Sequence, residues 1–266
     1  MPIFNVSGLQ LEVAIVGPAN PLAPALVFLH EGLGSVSLWR GWPAQLCGQL
    51  QMPGVVYSRQ GYGQSDATAN VRSSSQVVHG VRQGRLKADY MHHEALTVLP
   101  RLLQGLGVQN PILIGHSDGA TIALIHASHH PVAACVVMAP HVMVEDISVH
   151  AIAQARDAFI EGSLRERLAK FHADVDGAFW QWNDVWQSSE FRSFDIRKEI
   201  EGITAPLLAI QGEDDAYGTM AQIDDIASHV PHAERVKLAS CGHSPHRDQP
   251  AQVNEAIAQF LSTHLS

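Results

Sequence analysis

The sequence predicts an α/β protein, with a mostly parallel central sheet, helices on both faces and a helical insertion over one edge. Three observations carry this expectation. Short apolar runs of strand length alternate with helix-length stretches. Residues 140–205 break that rhythm and hold no convincing strand. One apolar run passes straight into a helix through Gly115-His116-Ser117-Asp118-Gly119.

The elements follow in order. The N-terminus reads as a hairpin, "IFNV" and "LQLEVAIV" joined by a turn at Ser7-Gly8, with apolar positions alternating along the second arm. After the Pro-rich turn "GPANPLAP" come runs that read as buried strands: 25–29, 54–58, 111–115, 134–139, 206–211 and 234–239. Residues 88–107 read as a helix whose Leu96, Leu99, Leu103 and Leu106 form one stripe. Strands alternating with helices imply βα units and a sheet buried on both sides. The stretches "VEDISVHAIAQARDAFIEG", "SLRERLAKFHA" and "GAFWQWNDVWQSSEF" all read as helical, and three of the five tryptophans lie there. A structureless loop of that length is uncommon in a compact domain, so a helical cap is expected at 140–205, inserted between core segments 1–139 and 206–266.

Composition excludes several classes. With 46% hydrophobic and 16% charged residues, the 266-residue chain is ordinary globular material. A net charge of −9 without any Lys/Arg cluster argues against nucleic acid as a partner. The longest apolar runs fall far short of the roughly 18 residues of a membrane span. The start has no basic segment followed by an apolar one, and Cys47, Cys135 and Cys241 are odd in number and scattered. A soluble, cytoplasmic protein with reduced thiols is expected. Sixteen histidines invite a metal, but His92-His93 and His129-His130 are adjacent pairs that diverge on a helix. His243 and His246 lack companion ligands at metal-site spacing. No metal and no cofactor is expected, and the oligomeric state stays open.

A strand that feeds a helix through one tight turn forces its central residue into a strained backbone, and small residues two places to either side permit the approach. The turn lifts the Ser117 hydroxyl to a helix N-terminus, where free N–H groups favour negative charge.

On these residues the chain resembles the α/β-hydrolase fold, over essentially its whole length. Four motifs carry the resemblance: the G-x-S-x-G elbow, "FLHEGLGS" (28–35), "SRQGYGQSD" (58–66), and the pair "QGEDDAYG" (211–218) with "CGHSPHRDQP" (241–250). The resemblance implies a serine hydrolase with Ser117 as nucleophile and His243 as base, His246 being its rival three residues on. Asp214 and Asp215 both follow the strand "PLLAIQ"; the family's spacing implies Asp215. Glu145 and Asp146 stand at a position some relatives use instead. The oxyanion donors implied are the N–H groups of Asp118 and Gly32. Glu31 departs from the family, standing where glycine is usual. Both Glu31 and Asp118 would repel an oxyanion, so their side chains are expected to turn towards N–H groups or a cation. Arg59 is expected to be architectural, paired with a carboxylate beneath the site, with Gly61 and Gly63 permitting its turn.

Glu31, His141, Trp182 and Trp186 are the expected pocket residues, although helical spacing also suits the two tryptophans to plain packing. The expected reaction cleaves a carboxylic ester or similar acyl bond of a small, largely apolar molecule. Cleavage of a carbon–carbon bond beside a ketone, and ligand binding on a retained hydrolase shell, stay open. Relatives that dehalogenate or open epoxides use an aspartate nucleophile, which Ser117 disfavours.

Overall fold

A computed structural model of the chain describes residues 2–20, 22–68, 71, 77–78, 81–82 and 86–265. Pro21, within the Pro-rich turn, lies outside the described residues. The strands are β1 (Ile3–Val6), β2 (Leu9–Val16), β3 (Leu26–Leu29), β4 (Gly54–Tyr57), β5 (Val77–Val78), β6 (Val81–Arg82), β7 (Ile112–His116), β8 (Ala134–Met138), β9 (Leu207–Gly212) and β10 (Glu234–Leu238). Eight of them form one sheet in the order β1-β2-β4-β3-β7-β8-β9-β10, and β5 pairs with β6 in a second, two-stranded sheet. From β4 to β10 the neighbours run parallel, while β2 lies antiparallel to β1 and β4. The hairpin turn sits at Ser7 and Gly8, both at positive φ.

The parallel strands are apolar on both faces because both faces are covered. Period-two alternation divides them between two cores. Leu26, Phe28, Ile112, Ile114, Val136, Leu208 and Ile210 face one side, where Trp42 and Leu46 of α1 (Trp42–Leu50) meet Val253, Ile257 and Phe260 of the C-terminal helix. Val27, Leu29, Leu113, Val137 and Ala209 face the other side. There they pack on α2 (Tyr90–His93), α3 (Leu99–Leu106), α4 (Asp118–His129) and the helices of 140–205. Each fully buried Leu, Ile or Phe contributes about 1.5–3 kcal/mol.

The helix expected over 88–107 forms with an irregularity. A π-helical turn, Glu94–Val98, joins α2 to α3. Its wider turn swings Leu96 off the stripe, and Leu96 is exposed while Ala95, Val98, Leu99, Leu102 and Leu103 are buried.

Residues 140–205 carry α5 (Asp146–Ile160), α6 (Leu164–Leu168), α7 (Val175–Trp186) and two 3-10 turns. Their aromatic centre stacks Phe159 on Phe179 at 3.8 Å, with Trp180 edge-on to both. His172 and Gln181 help tie this layer to the loops below. The His172 ring bridges the Gly63 N–H, which it accepts at 3.0 Å, and the Leu33 carbonyl, to which it donates at 3.0 Å. Gln181 accepts from the Thr68 hydroxyl and donates to the Gln60 carbonyl. The remaining helices, α8 (Ala221–His229), α9 (Pro245–Asp248) and α10 (Pro250–His264), flank β9 and β10. No helix among the described residues is long and apolar enough to cross a membrane.

Candidate active site

The turn between β7 and α4 explains why its residues are small. Ser117 sits at φ 53° and ψ −120°, a sparsely populated region costing about 1–3 kcal/mol. A Cβ on Gly119 would strike the carbonyls of Leu29 and His30, and one on Gly115 would strike the Gly119 carbonyl and Ala120. Strand, turn and helix are therefore in backbone contact, and Ser117 is held at the first turn of α4.

The structure brings Ser117, His243 and Asp215 into one line. His243 Nε2 lies 3.0 Å from Ser117 Oγ, and Nδ1 lies 2.9 and 2.8 Å from the Asp215 oxygens. Asp215 also accepts from Gln211 Nε2 and the Tyr217 N–H, both at 2.7 Å. An ionised carboxylate only accepts, so Nδ1 carries the hydrogen and the Nε2 lone pair accepts the Ser117 hydroxyl. Burial raises the Asp215 carboxyl, but the His243 and Tyr217 hydrogen bonds outweigh it and hold it below the ordinary aspartate value. Asp214 is exposed, so of the two adjacent aspartates only Asp215 meets the imidazole. Glu145 is engaged elsewhere, accepting from the Thr219 N–H and hydroxyl and from Gln222. Asp146 pairs with Arg192 at 2.7 Å. His246 turns under the site to lie against Trp39, Trp42 and His116.

Asp118 directly follows Ser117 and opens α4, and Gly32 lies in the loop after β3. Neither N–H donates to an acceptor among the described residues. The Asp118 carboxylate turns beneath the site: Oδ2 accepts from the Tyr90 hydroxyl at 2.5 Å and lies 3.9 Å from Arg59 Nη2. Burial pushes this carboxyl above the ordinary aspartate value, with Arg59 and Tyr90 offsetting part of the rise. Arg59 fans beneath the neighbouring loop, donating to the carbonyls of His30 at 2.7 Å and Glu31 at 3.0 Å. It also lies 5.0 Å from the Tyr62 ring centroid. Glu31 directs its carboxylate at His116 Nδ1, 3.4 Å away.

Buried rings pack around these residues. Trp182 Nε1 occupies the space a side chain at Gly32 would need. Trp186 donates to the Tyr90 hydroxyl at 3.1 Å and meets His141 edge-on at 5.0 Å. The His141 ring lies 5.9 Å from that of His243, and burial, with His243 nearby, pulls it down to about 3, so it is neutral. Tyr217 lies against His243 at 4.6 Å. Tyr90, Gln211, Tyr217 and Thr121, whose hydroxyl bridges the His141 backbone, escaped sequence reasoning. Only Gln211 and Tyr217 carried a signal, lying within the quoted "QGEDDAYG". Among the described residues no group of three or more His, Cys, Asp or Glu is placed to hold a metal.

The family model described as alpha/beta hydrolase family matches residues 26–256, and the chain belongs to that family. It is 23% identical to "Putative carbamate hydrolase RutD" of Pantoea ananatis over 280 aligned positions, covering 95% of this chain and 93% of that protein. It is 28% identical to a pimeloyl-(acyl-carrier protein) methyl ester esterase of Xanthomonas oryzae pv. oryzae over 116 positions, 44% of this chain and 42% of that one. Among solved structures, the enol-lactonase from Burkholderia xenovorans LB400 superposes with a TM-score of 0.74 at 19% identity, covering 98% of this chain and all of that one.

Proposed function

We propose that the protein is a serine hydrolase that cleaves a carboxylic ester, or a similar acyl bond, of a small and largely apolar substrate. The observation that carries this reading is the unbroken line from the Ser117 hydroxyl through His243 to Asp215, with 3.0 Å at its reacting end. The names of the esterase and lactonase relatives are in keeping with it.

Ser117 Oγ attacks the acyl carbon while its proton passes to His243 Nε2. The imidazolium is stabilised by Asp215, which stays ionised and keeps the ring in register. The N–H groups of Asp118 and Gly32 hold the oxyanion, assisted by the N-terminus of α4. Collapse breaks the bond to the leaving alkoxide, which takes the proton from His243 and leaves an acyl-serine. Water then attacks that acyl carbon, giving its proton to His243. The second collapse releases the acid and returns the proton to Ser117. Residues 140–205 act as the cap, with Trp182, Trp186 and His141 forming an apolar wall suited to short or medium acyl groups.

Covalent labelling by a fluorophosphonate tests the reading. Wild-type protein labels at one serine, and Ser117→Ala abolishes both labelling and turnover of p-nitrophenyl esters. Wild-type protein that stays unlabelled while folded and able to bind ligands overturns it.

A further inference from the structure

His116 stands inside the elbow, one residue before the nucleophile, and the reaction above gives its side chain no part. The ring is 1% exposed. Its Nε2 lies 2.6 Å from the carbonyl oxygen of His243. A carbonyl can only accept, so Nε2 carries a hydrogen and donates it to the backbone of the residue that bears the base. The second ring nitrogen, Nδ1, is buried without a close hydrogen-bond partner and faces Glu31 Oε2 at 3.4 Å.

The Glu31 carboxyl that faces Nδ1 at 3.4 Å bears on what Nδ1 holds. Burial raises the Glu31 carboxyl, but the His116 contact and the neighbouring His30 outweigh it, keeping Glu31 well below the usual carboxylate range. An ionised carboxylate offers no hydrogen. A neutral His116 with its hydrogen on Nε2 would set an Nδ1 lone pair against a carboxylate lone pair in a buried site, which is repulsive. Protonation at both nitrogens replaces that repulsion with an ion pair to Glu31 and keeps the Nε2 hydrogen bond. The groups packed around the pair are His30 and Arg59 near Glu31, His243 and His246 on the base side, and His141 and His172 from residues 140–205.

We propose that Glu31 and His116 form a buried carboxylate–imidazolium pair that positions the backbone of His243, with Glu31 fixing His116 and His116 fixing the base. The pair ties two loops to the end of a strand: Glu31 precedes Gly32 after β3, His116 closes β7, and His243 follows β10. The elbow side chain therefore registers the base against the loop that carries one proposed oxyanion donor. Both are positioning residues, since neither touches the reacting atoms. The catalytic consequence rests on the serine-hydrolase reading, whereas the charge state of His116 does not.

Two measurements test the proposal separately. In wild-type protein with 15N-labelled histidine, NMR should show both His116 ring nitrogens protonated at pH 7, and Glu31→Gln should convert the ring to the neutral form with hydrogen on Nε2. With p-nitrophenyl acetate, Glu31→Gln should lower kcat by about 10- to 100-fold with KM little changed, as expected for a misplaced base. Fluorophosphonate labelling of the same variant should slow but remain at Ser117. A neutral His116 in wild-type protein overturns the pair, and an unchanged kcat in Glu31→Gln overturns its role. Failure of wild-type protein to label would instead strike the hydrolase reading and leave the NMR result standing.

Discussion

Asp215 and Asp118 are buried aspartates at the same site, yet their acidities move in opposite directions. Asp215 accepts from the His243 ring, the Gln211 amide and the Tyr217 N–H, and it stays below the ordinary aspartate value. Asp118 has one hydroxyl partner on Oδ2 and a guanidinium at 3.9 Å, while its Oδ1 has no hydrogen-bond partner. It rises above the ordinary value. Burial penalises both carboxylates, Asp118 more heavily, and the N–H donors that converge on Asp215 outweigh it there. The better solvated of the two is the one in line with His243.

That contrast is open to direct attack. The largest effect should come from Asp215→Asn, which keeps the shape but holds His243 in the wrong tautomer. Turnover of p-nitrophenyl esters should fall about 10⁴-fold, with a much smaller change in stability, measured by kinetics beside urea unfolding. A loss under tenfold would put Asp215 outside the proton path.

Asp118→Leu should do the reverse and act chiefly on stability. It leaves Arg59 buried without its carboxylate, and breaking such a pair costs about 3–5 kcal/mol. Urea denaturation reads this as a lower midpoint. An unchanged midpoint would mean that the His30 and Glu31 carbonyls satisfy Arg59 without Asp118.

The smallest effect, and the sharpest in sign, is the pH dependence of those stabilities. The lowered carboxyl of Asp215 contributes stability that is fully present above the ordinary aspartate value and lost as pH falls through its folded value. The raised carboxyl of Asp118 does the opposite: between the ordinary value and its own, the folded state binds more protons, so stability falls as pH rises. Urea midpoints across a pH series should show wild type gaining on Asp215→Asn with rising pH and losing ground to Asp118→Asn. Parallel curves for the two variants would contradict the assignment.

The sheet and the elbow were legible in the sequence because their signals are local. Strand-length apolar runs need only burial on both faces, and Gly115 and Gly119 advertise a contact that leaves no room for a side chain. His243 was readable from its glycine and its place after β10, and Asp215 from its spacing past β9, since both lie in loops that immediately follow strands. The buried network was not legible. Tyr90 lies on a helix distant in sequence from Asp118, and only tertiary packing brings its hydroxyl there. Glu31 looked like a misplaced charge because its partner, His116, comes from a different strand. Leu96 failed for another reason, since a single π-helical turn leaves no clear mark on an apolar stripe.

The closeness of Gly119 to the Leu29 carbonyl sets the height of the serine from a neighbouring strand rather than from its own loop. Variant libraries aimed at bulkier molecules would gain nothing by loosening the elbow, where a side chain on Gly115 or Gly119 would push α4 off the neighbouring strands. Useful diversity belongs among the aromatic residues of the proposed cap, provided that His172 and Gln181 are kept as its anchors.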